Sequence, residues 1–336
     1  MTAAICISNL THNYPPPRKV RRRGLQVPCN SSIVLPENRP ALDNVGFNIG
    51  AGEIFGILGP NGSGKTSLFR VISTLMRPTS GNVHVFDYDV QSQGDQVRRQ
   101  LGIVFQMPSL DLKLTAEENM LHQGRLYGLR GDVLRQRLAE LLTAFGLDQR
   151  RSEYVERFSG GMRRRLELAK AMLHRPRLLM MDEPSTGLDP GARRDLWTHL
   201  HRLHEQGDMT IVLTTHLMDE ADYCHRLAVL NEGKLAALDT PVNLKSRIGA
   251  DVITVEPHDA GDAENLCRLI SSQFGPWPDG AAPVVHRGKI HLQKADGPAF
   301  VPTLSASIAA RTRSVTVGRA TLEDVFLHLT GHTLYK

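Results

Sequence analysis

The stretch Ile54–Leu58, IFGIL, runs directly into Gly59-Pro60-Asn61-Gly62-Ser63-Gly64-Lys65-Thr66, and a helix-compatible run, Ser67–Leu75, follows. Strand, glycine-rich loop and helix in that order fit the phosphate-binding pattern GxxxxGK[ST]. The glycines let successive backbone N–H groups curl around phosphate oxygens where a Cβ would intrude. Lys65 supplies a point charge for β and γ phosphates, Thr66 offers a hydroxyl to Mg²⁺, and the helix presents its positive end. Residues Gly59 to Thr66, with Ser67 beside them, are the candidate nucleotide ligands.

Everything else in the chain is arranged around that loop. Strands are expected at Leu42–Ile49, Glu53–Leu58, Asn82–Phe86, Leu101–Phe105, Leu178–Met181 and Met209–Thr214. Between 115 and 146 the apolar spacing turns helical, with Val133, Leu134, Leu138, Leu141 and Leu142 on one face. A second helix is expected from Ser159 through Met172, and a third around Arg193–His204. The alternation implies a parallel-sheet α/β domain over 1–240 with an antiparallel edge and a helical insert at about 107–175. From Lys245 short alternating pieces (Asp251–Glu256, Val284–Gln293, Ser314–Val317) and a helical piece imply a small α+β domain over 245–336. An edge strand over 3–14 is expected to end at Tyr14. The segment 15–40, with Pro15–Pro17, Pro28, Arg18, Lys19 and Arg21–Arg23, reads as an exposed loop with a solvated charge run.

Composition narrows the class. Forty basic against 35 acidic residues leave a formal charge of +5, too small to argue for a polyanionic partner, and no nucleic acid is expected. There is no run of 18 apolar residues, so no spanning helix is expected. The N-terminus lacks the pattern of a secretion signal. Cys6, Cys29, Cys224 and Cys267 are far apart and read as reduced thiols.

Further residues have the chemistry a nucleotide site needs. Asp182 ends the apolar strand Leu178–Met181 and is placed to hold Mg²⁺ opposite Thr66, and Glu183 is the natural base for an attacking water. Phe158-Ser159-Gly160-Gly161-Met162 opens a helix, where Ser159, Gly160, Gly161 and Met162 offer a second anion-binding terminus. A structural cap would need only Ser159, so the glycines read as functional. Gln106 ends a strand facing the same crevice, within reach of a γ phosphate or the metal. His216 follows the strand at Thr214-Thr215, where an imidazole can donate to phosphate or orient water.

This set resembles the ATP-binding subunit of an ABC transporter. Gly59–Thr66 matches the Walker A loop, Gln106 the Q-loop, Phe158–Met162 the signature, Asp182-Glu183 the Walker B end with its catalytic glutamate, and His216 the switch histidine. Gly187-Leu188-Asp189-Pro190 matches the D-loop, and Tyr14 sits about where the adenine-stacking aromatic is expected. The signature departs from the usual Leu start and Gln end, and FSGGMRRR together with Ala320–Phe326 resembles the daunorubicin-resistance type of ABC-2 exporter. The resemblance implies a P-loop hydrolase with ATP and Mg²⁺ as cofactors. It also implies a homodimer whose Ser159–Met162 and Asp189 close on the partner's nucleotide, with Lys65, Gln106, Glu183 and His216 catalytic. A separate ABC-2 permease, export of a drug-like, lipid or glycan substrate, and a peripheral place on the cytoplasmic face of the inner membrane follow from it. Gln106–Met120, with Met107, Leu110, Leu112 and Leu114, is the expected docking loop. The tail is expected to tune dimer closure. The rivals are a soluble ABC ATPase acting on nucleic acid or ribosomes, and an import ATPase.

Overall fold

The computed structural model describes residues 3–15, 40–207, 209–248, 251–277 and 282–330. Most of the expected loop 15–40, Cys29 and the last six residues therefore lie outside the described residues. The chain packs into two compact units, Met1–Thr215 with Leu230–Leu235, and His216–Val229 with Ala236–Lys336.

In the first unit, β1 (Ala3–His12), β2 (Leu42–Gly50) and β3 (Ile54–Leu58) precede α1 (Lys65–Ile72). Then come β4 (Ser80–Val85), β5 (Tyr88–Asp89), α2 (Gly94–Gln100) and β6 (Leu101–Val104). The strands β2-β1-β4-β5 form an antiparallel sheet, so the first strand stops at His12 rather than Tyr14. Helix α1 starts two residues earlier than expected and ends before Leu75, because Thr74 turns at φ +62° and leaves Leu75 exposed.

The helical insert consists of α3 (Ala116–Leu126), α4 (Gly131–Ala144) and α5 (Gly160–Ala171). Thr115 and Glu118 form a reciprocal capping box at the start of α3. Helix α4 buries Leu134, Leu138, Leu141 and Leu142, but Val133 is 67% exposed. One turn of α4 carries two adjacent apolar residues, and only Leu134 faces inward, pressed so closely on Gly124 of α3 that a side chain there would collide with it.

The unit closes with β7 (Leu178–Asp182), α6 (Pro190–Gly207) and β8 (Thr210–Thr215). Parallel strands run in the order β3-β8-β7-β6, and every residue of β3, β7 and β8 is buried. A strand covered on both faces has no solvent side, which explains the unbroken apolar runs in the sequence. Register aligns Leu58 with Thr215, Asp182 with Thr214, and Val104 with Met181. The carboxyl ends of these strands thus stop at one level and deliver their following loops to one edge, where ligands bind in open α/β sheets.

The second unit includes α7 (Met218–Ala221), most of β9 (Arg226–Asn231) and β10 (Lys234–Asp239), and α8 (Pro241–Ser246). There follow β11 (Asp251–Pro257), α9 (Ala263–Phe274), β12 (Val284–His286), β13 (Lys289–Lys294), α10 (Gly297–Ile308), β14 (Thr312–Gly318) and α11 (Leu322–Thr330). The sheet order β12-β13-β11-β14 with its βαββαβ succession is a split βαβ arrangement. Two helices, not one helical piece, supply the core: Leu266 and Ile270 of α9, and Leu304 and Ile308 of α10, meet Ile253, Val255, Ile290 and Leu292. The run expected as one strand, Val284–Gln293, is a hairpin, because Arg287 and Gly288 turn at φ +48° and +73°. Among the described residues no helix is long and apolar enough to cross a membrane.

Candidate active site

The loop Gly59–Thr66 leaves β3 and enters α1 as the sequence predicts. Gly62 and Gly64 adopt φ +83° and +103°, which only glycine tolerates freely. A Cβ at Gly59 would collide with the Leu230 carbonyl, whereas one at Gly62 would enter open space, so Gly59 serves packing and Gly62 the open cradle. The first intrahelical bond is Leu68 N–H to the Gly64 carbonyl. That leaves the N–H groups of Lys65, Thr66 and Ser67 in the first turn, where an anion is favoured. Ser63 Oγ is buried with no hydrogen-bond partner among the described residues, a further polar atom at the same place.

Lys65 is 4% exposed and donates to the carbonyls of Gly59 at 2.7 Å and Pro60 at 3.0 Å. Burial pulls its ammonium below the usual lysine range, and Glu183 and Asp182 oppose that pull. Asp182, at the end of β7, accepts a hydrogen bond from the Thr214 hydroxyl. Its burial raises the carboxyl pKa, against the stabilising Thr214 bond and the Lys65 and Arg70 charges.

Glu183 is the most constrained residue here. Its φ is +47°, an uncommon conformation for a residue with a Cβ, and its N–H is held by the Thr214 carbonyl at 3.1 Å and the Thr214 Oγ1 at 3.0 Å. Its carboxylate lies 3.6 Å from Lys65 Nζ and accepts from Gln106 Nε2 at 3.1 Å and Thr186 Oγ1 at 3.3 Å. Lys65, Gln106 and Glu183, remote in sequence, therefore converge. Gln106 gives its amide nitrogen to Glu183, so its carbonyl oxygen is what it has to offer a cation.

The Thr66 hydroxyl, the Asp182 carboxylate and the Gln106 carbonyl are all oxygen donors, the chemistry that Mg²⁺ takes, and these residues would hold it. Bound there, the ion would supply positive charge to offset that of the phosphates. Tyr14 stands beside the loop: its hydroxyl is 3.0 Å from Ser67 Oγ, its ring meets His12 edge-on at 4.9 Å, and 44% of it is exposed.

The signature residues line a different cavity. Ser159 is the N-cap of α5, its Oγ accepting from Met162 N at 3.3 Å. A 300 Å³ cavity is lined by Ser159, Gly161, Met162, Asp189 and neighbouring residues, and none of its lining comes from Gly59–Ser67. Asp189 Oδ1 accepts from the N–H groups of Gly191 and Ala192, both at 2.9 Å. These backbone bonds, the Ala192 one foremost, hold its carboxyl below the usual range. One inference from sequence needs correction: Gly161 has a packing role within the chain, since a Cβ there would lie 2.9 Å from Ala192 Cβ, while one at Gly160 would have 3.8 Å to Leu188. His216 directly follows the last residue of β8 and belongs to the second unit.

In the loop after Gln106, Met107 is 78% and Leu112 41% exposed, but Met120 is fully buried in α3. Buried Asn119 pins the loop through both polar groups of the Asp111 backbone. Sequence reasoning did not find Arg164 and Glu167, a buried ion pair at 2.9 Å, whose signal was only two charges three apart in a helix with apolar neighbours. It also missed a 1060 Å³ cleft between α2, α4 and the end of α3, where Tyr127 stacks on His174 with ring centroids 3.8 Å apart.

A family model described as ABC transporter matches residues 42–186. The daunorubicin/doxorubicin resistance ATP-binding protein DrrA of Streptomyces peucetius is 37% identical over 95% of this chain and 94% of its own length. The linearmycin resistance ATP-binding protein LnrL of Bacillus subtilis is 36% identical over 86% of this chain and 93% of its own. Among solved structures, the dimeric bacterial ABC transporter cassette MJ0796 aligns with a TM-score of 0.58 and 28% identity, over 70% of this chain and 98% of that one. By these matches the chain belongs to the ATP-binding subunits of ABC transporters, as an ATPase cassette related to those of the drug-resistance and export type.

Proposed function

We propose that two copies of this chain form a head-to-tail dimer with two shared ATP sites, and that this dimer drives export through a separate ABC-2 permease. The observation that carries the reading is the separation of the two half-sites. Lys65, Gln106, Asp182 and Glu183 gather at one edge of the sheet, whereas the cavity of Ser159–Met162 and Asp189 shares no residue with the phosphate loop. A second copy, turned about a two-fold axis, supplies the missing half to each. Tyr14 would then stack on the base, Thr66 and Asp182 would hold Mg²⁺, and Glu183 would take the proton of the attacking water.

The partner enters through the insert. Met107 and Leu112 are exposed on the loop behind Gln106, and Leu126 and Val133 are 82% and 67% exposed at the rim of the larger cleft. An apolar surface of this kind suits a short helix of an integral membrane protein, and with such a partner the cassette would sit on the cytoplasmic face. Relatives named for resistance to daunorubicin and linearmycin, and for export of Nod factor, support a drug-like, lipid or glycan substrate. The second unit, with no phosphate loop of its own, serves as an accessory domain. Substituting Leu112 with Glu tests the docking. Co-purification with the membrane subunit should be lost while folding and nucleotide binding persist. A cassette that associates with no integral membrane protein would return the soluble ATPase to the front.

A further inference from the structure

The loop bearing Gln106 is gripped by one face of α5. At three-residue intervals Arg164, Glu167 and Lys170 stand on that face. Arg164 Nε donates to the Pro184 carbonyl at 2.7 Å, and its Nη1 donates to the Phe105 carbonyl at 3.0 Å and to Glu167 Oε2 at 2.9 Å. The other oxygen of Glu167 accepts from Ser109 N at 2.8 Å, and Lys170 Nζ donates to the carbonyl and hydroxyl of the same serine. Phe105 is the residue before Gln106, and Pro184 the residue after Glu183. One guanidinium, 7% exposed, thus holds the backbone beside each of the two side chains that meet at Gln106 Nε2 and Glu183 Oε2. An apolar pair of similar volume would fasten α5 to the sheet without desolvating two charges. It could not fix two separate carbonyls at once, which the rigid multi-donor guanidinium does.

The same helix begins at Ser159-Gly160-Gly161-Met162, about one turn from Arg164. We propose that Arg164, braced by Glu167, is a positioning residue that couples the two ATP sites of the dimer. Nucleotide held by the partner copy seats on the start of α5, and Arg164 passes the resulting position of the helix to Gln106 and Glu183 of its own copy. The path runs along the backbone of α5 to Arg164, and from its guanidinium through buried and part-buried hydrogen bonds to the backbone beside Gln106 and Glu183. This inference rests on the head-to-tail dimer proposed above.

The test uses the full chain assembled with its membrane subunit, and the variant Arg164→Lys, which keeps the charge but not the fork. Expected are an unchanged melting temperature within a few degrees, ATP affinity within about twofold, a kcat lowered between about two- and thirtyfold, and a Hill coefficient for ATP falling towards one. Unchanged kcat and Hill coefficient overturn the proposal, as does a lowered kcat with the cooperativity intact, which makes Arg164 a local prop. A wild-type Hill coefficient of one overturns it as well. Should Arg164→Lys not fold, the paired change Arg164→Gln with Glu167→Gln removes both buried charges together and is read in the same way. A Glu183→Gln control that fails to dimerise with ATP sinks the dimer reading itself. A control that dimerises while Arg164→Lys leaves cooperativity intact sinks only the coupling.

Discussion

Lys65 Nζ lies 3.6 Å from Glu183 Oε1, with side-chain exposures of 4% and 10%. A buried ion pair is tolerated when further hydrogen bonds complete both partners, and here they do: two loop carbonyls for the ammonium, and Gln106 and Thr186 for the carboxylate. The pair fixes the distance between the cation proposed to hold phosphate and the carboxylate proposed as the base. It also means that one substitution disturbs two functions unless shape is preserved.

Glu183→Gln preserves shape. The amide keeps the shape but leaves one accepting oxygen, for either the Lys65 side or the Thr186 and Gln106 side, and it removes the general base, so ATP binding should persist while turnover falls about 10²–10⁴-fold. ATP-dependent dimerisation, read by size-exclusion chromatography with and without nucleotide, should become stable. Full steady-state hydrolysis by the variant would remove Glu183 from its role.

Lys65→Ala does not preserve shape. Among the described residues of the loop no second cation stands in for it, and the Glu183 carboxylate, while keeping its Gln106 and Thr186 donors, loses the ammonium beside it. Nucleotide affinity should drop at least about tenfold, the scale of a lost charge-assisted hydrogen bond. A titration with fluorescent nucleotide analogue showing equal affinity would contradict this.

The two signature glycines should separate cleanly. Gly161→Ala forces a methyl to 2.9 Å from Ala192 Cβ, so α5 and the start of α6 must part, at a cost of about 1–3 kcal/mol. Gly160→Ala has 3.8 Å of room and should leave thermal stability nearly unchanged, while still lowering the ATPase of the dimer. Equal melting temperatures for the two variants would show that the Gly161 contact does not matter.

Tyr14→Phe removes the bond from Tyr14 Oη to Ser67 Oγ but keeps the ring. A change of about 0.5–1.5 kcal/mol, at most roughly tenfold in KM for ATP, is expected. Tyr14→Ala should cost more and should weaken discrimination between ATP and nucleotides with other bases. Identical KM values for wild type and Tyr14→Ala would move the base site elsewhere.

His174 gives a pH signature. Burial lowers its pKa from 6.5, only partly opposed by its bond to the Leu101 carbonyl, and its ring stacks on Tyr127. Because the folded pKa is depressed, the unfolded chain binds the proton first. This contribution to stability is therefore complete above pH 6.5 and is lost as pH falls towards the folded value. Melting temperatures taken from pH 7.5 to 5 should decline, and His174→Phe should flatten part of the slope. Parallel curves for both proteins would argue against it.

Local rules were enough for much of this molecule. The phosphate loop, its flanking strand and helix, the buried strands and the positions of Asp182, Glu183 and Gln106 at strand ends were legible because each rests on turn chemistry, apolar runs or helix termini a few residues long. What Lys65, Gln106 and Glu183 do to one another was not, since they follow β3, β6 and β7. Only the strand order β3-β8-β7-β6 and its register bring the three loops to one level. The same holds for Gly161, whose need for a bare Cα comes from Ala192 on another helix, and for Val133, whose exposure depends on which side of α4 meets Gly124. The split βαβ order of the second unit was also hidden, because strand pairing between β11 and β14 joins segments with two helices and a hairpin between them. Spacing along the chain specifies the elements. Which side chains share a buried site is decided by long-range packing, where close approach and paired charges are satisfied only once the sheet has been assembled.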